Sequence, residues 1–166
     1  MLELFLVLFI VATDRITKYI TIRFLKPLRS ITVIKSVLNL TYVENHGAAF
    51  GILQNKRWFL IIIPIFIILA VTIYLLLHRK ESLLTRISLA IIIGGAIGNL
   101  IDRVSLGYVV DMFQFMFINF PVFNFADIAV VCGTIMLALQ LLFLEGMHKK
   151  GDDNIQGGIT KENVSD

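Results

Sequence analysis

Long apolar runs separated by short polar segments dominate the hydrophobic pattern of the chain. Residues 59–77, 87–101 and 128–144 contain no charged side chain. A helix needs about 20 residues to cross a hydrocarbon core of about 30 Å, and these runs approach that length alone or with their flanks. We therefore predict three transmembrane helices here. Pro64 lies inside the first of them, where neighbouring helices can tolerate a kink.

The N-terminal segment is apolar but carries charges near its end. Residues 4–13 are followed by Asp14, Arg15 and Lys18 before apolar residues resume. A cleavable signal peptide is an alternative, although the first three residues lack a basic side chain and no small-x-small cleavage site follows. We predict a retained first span over about residues 2–23. Four spans place both termini on one side of the membrane, and the nearly even distribution of Lys and Arg leaves the orientation open.

The segments between the spans differ in character. Residues 30–56 alternate and are rich in β-branched side chains, which predicts a small β element outside the membrane over about residues 28–56. Residues 103–125 contain six of the 13 Phe and predict a segment at the membrane interface. The polar residues 146–166 predict a disordered tail after a single domain over residues 1–145.

Composition supports a membrane protein and excludes several classes of function. Hydrophobic residues make up 57% of the chain and charged residues only 16%, whereas soluble domains carry about 25% charged residues. Cys132 is the one cysteine, so the chain forms no internal disulfide. The net charge of +3 is scattered between apolar runs, which favours anionic lipid over nucleic acid as a partner. The three His residues lack metal-ligand spacing, and we predict no metal site.

Polar side chains at the ends of the spans are the candidates for chemistry, because such groups are costly in hydrocarbon. They are Asp14, Asn99, Asp102, Arg103, Asp111, Asn124 and Asp127. The third span ends near Asn99 and the fourth begins near Asn124, so both sets lie at one membrane face. Asp111 lies in the connection between them and can converge with Asp127.

Two close carboxylates in a site of low dielectric constant cannot both ionise, so one serves as an acid and the other as a base. Such a pair can activate water against a peptide bond. Other interpretations remain open: each acid can mark the edge of the membrane, and Asp14 can pair structurally with Lys18 one turn later. A proton relay in a small transporter and an inert assembly protein are alternative functions.

The same residues give the chain a specific family resemblance. Five ordered blocks carry it: DRITK at residues 14–18, NHGAAF at 45–50, GGAIGNLIDR at 94–103, VVDMF at 109–113 and FNFAD at 123–127. With these blocks the chain resembles the bacterial lipoprotein signal peptidases, or signal peptidase II. The resemblance implies a mainly α membrane protein of four transmembrane helices with an extracytoplasmic β element. It also implies cytoplasmic termini in the bacterial cell membrane and an active site toward the outer face.

The resemblance implies an intramembrane aspartyl endopeptidase that cuts a prolipoprotein before its diacylglyceryl-modified cysteine. Asp111 and Asp127 are then the catalytic pair, Asp102 is a structural partner, and His46 has no assigned role. The residues expected to organise the site or bind substrate are Asp14, Asn45, Gly47, Asn99, Arg103 and Asn124. The expected partners are the lipid-modified substrate and membrane lipids, with no cofactor and a monomeric enzyme.

Overall fold

The computed structural model describes residues 1–47, 52–54 and 56–142. The helices are α1 (Leu2–Ile20), α2 (Arg57–Leu77), α3 (Leu83–Ser105) and α4 (Phe125–Leu142). A π-helical turn, Thr21–Leu25, follows α1, and the strands are β1 (Ser30–Ile34), β2 (Leu38–Asn45) and β3 (Val109–Phe115). The predicted tail over residues 146–166 lies outside the described residues.

The three uncharged runs form helices that are long and apolar enough to cross a membrane: α2, α3 and α4. The prediction of three membrane-spanning helices in these segments is confirmed by their length and composition. Helix α3 is longer than the predicted run, because it begins after Ser82, whose Oγ accepts a hydrogen bond from the Thr85 amide (3.1 Å). Helix α1 carries four charged side chains, namely Glu3, Asp14, Arg15 and Lys18, and is not among these candidate spans.

A small antiparallel sheet with the strand order β1-β2-β3 accompanies the helices. The predicted β element between α1 and α2 supplies β1 and β2. Strand β3 was not predicted, because it comes from the segment expected only to lie at the interface. Residues 109–112 are all buried, so the strand lacks the alternation by which a half-exposed strand is recognised. Val110 and Met112 pack with Leu25 in a small core.

Glycines on α3 allow close contact with α1 and α4. An added Cβ at Gly94 would lie 2.9 Å from Ile10 Cβ, and one at Gly95 would lie 2.5 Å from the Ala126 carbonyl oxygen. Such close approach between helices requires a residue without a side chain. The packing brings the C-terminal end of α3 beside the N-terminal end of α4 and the charged part of α1.

Candidate active site

The N-terminus of α4 is built around Asn124 and Asp127. The Asn124 amide donates to Asp127 Oδ2 (3.1 Å), and the Asp127 amide donates to Asn124 Oδ1 (2.9 Å). Because α4 begins at Phe125, these are the N-cap and third helical positions, and the reciprocal bonds form a capping box. The arrangement gives hydrogen-bond partners to two N–H groups that have none within the helix, and it places a carboxylate where the helix dipole favours negative charge.

The side chain of Asn124 links this helix to strand β3. Its Nδ2 donates to Asp111 Oδ1 (2.6 Å), while Asn45 Nδ2 donates to Asp111 Oδ2 (2.9 Å). Asn45 reaches Asp111 because β2 and β3 pair with Val43 opposite Asp111. Asn124 therefore contacts both carboxylates, and the structure brings Asp111 and Asp127 together in one site.

Asp111 is nearly completely buried, with 1% of its surface exposed. Burial, together with the negative charge of Asp127, raises the pKa of Asp111 to about 7, against the hydrogen bonds from Asn45 and Asn124 that lower it. This carboxyl group can therefore hold a proton near neutral pH.

The C-terminal end of α3 contributes Asn99 and Arg103. Asn99 Nδ2 donates to Asp127 Oδ1 (2.7 Å), and Asn99 Oδ1 accepts from Asn124 Nδ2 (3.1 Å). The half-buried Arg103 guanidinium is attracted to both Asp127 and Asp111. Its Nη2 donates to the Gly47 carbonyl oxygen (3.3 Å), which ties α3 to the segment after β2.

Gly47 lies in a short turn after β2. Its amide donates to Asn45 Oδ1 (2.9 Å), a turn in which a side chain accepts from the backbone two residues later. This bond leaves Asn45 Nδ2 facing Asp111. Residues 48–50, which complete the block containing Asn45 and Gly47, lie outside the described part of the chain.

Asp14 binds neighbours of Asp127 and Asp111, namely the start of α4 and two cations of α1. It is completely buried, and its Oδ1 accepts from the Ala126 amide of α4 (3.2 Å). Its Oδ2 pairs with Lys18 Nζ and with Arg15 Nη2, both at 3.0 Å. The i, i+4 pair considered in the sequence analysis is therefore present, and Asp14 also anchors the start of α4.

Asp102 pairs with the same two cations. Its Oδ2 lies 2.9 Å from Lys18 Nζ, and its Oδ1 lies 2.6 Å from Arg15 Nη2. Asp102 Oδ2 also accepts from the Val110 amide (3.1 Å), next to Asp111 in β3. The bond joins the end of α3 to the strand that carries Asp111.

Lys18, like Arg15, is a cation of this region that the sequence analysis does not assign to the site. Only 1% of its surface is exposed, and its Nζ donates to Asn99 Oδ1 (2.9 Å) as well as pairing with both aspartates. Its i, i+4 spacing from Asp14 is visible in the sequence, and that local pair accounts for the lysine without a partner on another helix. No feature of the sequence indicated a contact with Asn99 on another helix.

The charges of this region nearly cancel. The cations Lys18, Arg15 and Arg103 face four carboxylates: Asp14, Asp102, Asp111 and Asp127. A single proton on one carboxylate brings the sum to zero, as a buried site requires. Within residues 1–47, 52–54 and 56–142, no group of three or more His, Cys, Asp or Glu side chains is arranged to hold a metal ion.

Comparisons with known proteins show which family the chain resembles in sequence and structure. The family model described as signal peptidase (SPase) II matches residues 6–143. A lipoprotein signal peptidase of Caldanaerobacter subterraneus subsp. tengcongensis is 49% identical over 144 residues, covering 86% of this chain and 97% of the relative. The lipoprotein signal peptidase of Clostridioides difficile is 43% identical over 149 residues, covering 90% of this chain and 100% of the relative.

A solved structure supports the same assignment. A bacterial membrane enzyme determined by the in meso method at 2.3 Å resolution superposes with a TM-score of 0.78 and 36% identity, covering 84% of this chain and 87% of that chain. Fold, sequence and apolar helices thus agree on a membrane peptidase. The chain belongs to the signal peptidase II family, the lipoprotein signal peptidases.

Proposed function

We propose that this chain is an aspartyl endopeptidase that cleaves a prolipoprotein before its diacylglyceryl-modified cysteine, with Asp111 and Asp127 activating the attacking water. One observation carries the proposal. Asn124 donates from its side chain to Asp111 and from its backbone to Asp127, so a single residue holds the two carboxylates in one site. No cofactor is required for this chemistry.

In the proposed reaction, Asp127 is the base and Asp111 is the acid. Both oxygens of Asp127 accept N–H donors at a helix N-terminus, which favours its ionised form. Asp111 is buried in a strand and holds the proton. Asp127 takes a proton from water as the water oxygen bonds to the scissile carbonyl carbon. The C–N bond then breaks as the leaving nitrogen gains the proton of Asp111. Asn45, Gly47, Asn99, Arg103 and Asn124 hold the carboxylates and the nearby backbone in place for this step.

The proposed topology places four spans in the bacterial cell membrane, with both termini cytoplasmic. Helix α1 serves as the fourth span because its charges are paired within the bundle, where Asp14 and Lys18 are buried and Arg15 pairs with two aspartates. The sheet and residues 106–124 then lie toward the outer face with the site. Residues 1–145 form one monomeric domain, residues 146–166 form a cytoplasmic tail, and nucleic acid is not a partner.

The lipid on the substrate is expected to dominate its selection. Diacylglyceryl chains would hold the scissile bond at the membrane interface, which replaces a dilute encounter by a confined one. We expect the purified chain in liposomes to cleave the lipidated precursor at least about 100-fold faster than the same precursor without lipid. Equal rates would contradict this role of the lipid.

The same liposomes separate hydrolysis from a proton relay. A relay would conduct protons without cleaving the precursor, whereas the proposed peptidase cleaves without conducting. The ion pairs of Asp14 with Lys18 and Arg15 support hydrolysis, because they leave this acid no free role in proton transfer. Proton flux in the absence of cleavage would refute the proposed function.

Activity is expected to depend on pH along a bell-shaped curve. The pKa of Asp111 is raised to about 7, so the acid is protonated below that pH and loses its proton as the pH rises through it. The rate should therefore fall above about pH 7, and it should fall at low pH as Asp127 is protonated. Cleavage of the lipidated precursor in buffers of constant ionic strength tests this, and a constant rate up to pH 9 would contradict it.

A further inference from the structure

We propose that Lys18 is a positioning residue for the hydrolysis, because its ammonium group holds the Asn99 amide in the one orientation that donates to Asp127. This inference rests on the proposed function. Lys18 Nζ has three N–H donors and three buried acceptors: Asp14 Oδ2 at 3.0 Å, Asp102 Oδ2 at 2.9 Å and Asn99 Oδ1 at 2.9 Å. Every donor is therefore used, and the group is fixed.

An ammonium group donates hydrogen bonds and cannot accept them. Asn99 must therefore turn its carbonyl oxygen toward Lys18, where the same oxygen also accepts from Asn124 Nδ2 (3.1 Å). Its Nδ2 is left facing Asp127 Oδ1 at 2.7 Å. A flipped amide would lose both bonds to the oxygen and would present a carbonyl to a carboxylate, so the flip is excluded while Lys18 is present.

The orientation of the Asn99 amide determines whether the site favours the ionised or the protonated form of Asp127. With Nδ2 facing it, Asp127 receives N–H donors on both oxygens, since the Asn124 amide occupies the other. A protonated Asp127 would direct its O–H at a donor on either side. Lys18 thus acts through Asn99 to keep the proposed base ready to accept a proton.

Several other charges face Asp127 and bear on its protonation. Arg103 on α3 and Lys18 on α1 attract its negative charge, while Asp111 on β3 repels it. Asp14 and Asp102 both pair with Lys18, and Arg15 pairs with the same two aspartates. Loss of Lys18 removes a cation and also removes one of the two donors that orient the Asn99 oxygen, which leaves only Asn124 Nδ2 bound to it. A test must separate these two effects.

The test compares Lys18→Met with the double variant Lys18→Met/Asp102→Asn. The double variant removes one cation and one carboxylate, so the net charge of the region equals that of the parent, but no ammonium group orients Asn99. We expect both variants to lower kcat at least about 10-fold, which is the lower end of the effects found when a group that orients a metal ligand is lost. KM for the lipidated precursor should change less than about twofold, and the acidic limb of the pH profile should move to higher pH.

Lys26→Met is the matched control, because this lysine is half exposed and pairs with Glu44 away from the site. The control should keep the kcat of the parent. Recovery of the parent kcat by the double variant would assign Lys18 to charge balance alone and overturn the positioning role. An effect confined to KM, or loss of folding in both variants, would also overturn it. Failure of the parent itself to cleave the precursor would instead refute the proposed function.

Discussion

Replacing either Asp111 or Asp127 with Asn should lower kcat for a lipidated precursor by at least about 10³-fold. Asn is nearly isosteric with Asp, but its amide neither takes a proton from water nor gives one to the leaving nitrogen. Each substitution therefore removes one half of the proposed acid and base. Because the two carboxylates act as a unit in the proposed reaction, the double substitution should cost little more than either single one.

The two variants should differ in stability. In Asp111→Asn, the Asn45 amide that faces residue 111 lies beside a turn and can adjust. In Asp127→Asn, the new NH₂ group meets a donor on either side, because Lys18 holds the Asn99 amide in place. An unpaired buried donor costs about 1–3 kcal/mol, so Asp127→Asn should unfold at the lower temperature.

Single-turnover cleavage and thermal unfolding in detergent measure these two effects. Glu44→Gln is a matched control, since this exposed carboxylate on β2 pairs with Lys26 and not with a residue of the site. The control should cleave at the parent rate. A folded Asp111→Asn or Asp127→Asn variant that processes the precursor normally would refute the aspartate pair.

Much of the site could be predicted because its signals are local. A polar residue at the end of an uncharged run is costly without a role, which singles out Asn99, Arg103, Asn124 and Asp127. The spacing of Asn124 and Asp127 also matches the capping box that the structure contains. The order of the spans along the chain then predicts that both pairs of residues lie at one membrane face.

The missed features depend on contacts between distant segments. Strand β3 is buried along residues 109–112, so its pairing with β2 leaves no alternating pattern. Lys18 meets Asn99 only because α1 and α3 approach closely at Gly94 and Gly98. The glycine spacing predicts that some helix approaches α3, but it does not say which helix or which side chain of that helix arrives.

Gly95→Ala should have the largest effect on stability among single changes in the helix interfaces. The new Cβ would lie 2.5 Å from the Ala126 carbonyl oxygen, 2.8 Å from Val130 Cγ2 and 3.1 Å from the Val130 amide nitrogen. Two of these atoms belong to the backbone of α4, so the helix itself must move. Such overpacking costs about 1–3 kcal/mol or more, which exceeds the gain of about 1 kcal/mol that Ala brings over Gly within a helix.

Movement of α4 at Ala126 also displaces the adjacent Asp127. A shift of about 1 Å in a reacting group can cost about 100-fold in rate, so kcat should fall together with the unfolding temperature. Val131→Ile is the matched control, because it adds one carbon to the same helix where the side chain is 56% exposed. It should leave both quantities unchanged. A Gly95→Ala variant as stable and active as the parent would mean that α3 and α4 are not in close contact at Ala126. The inference that this contact positions Asp127 would then be refuted.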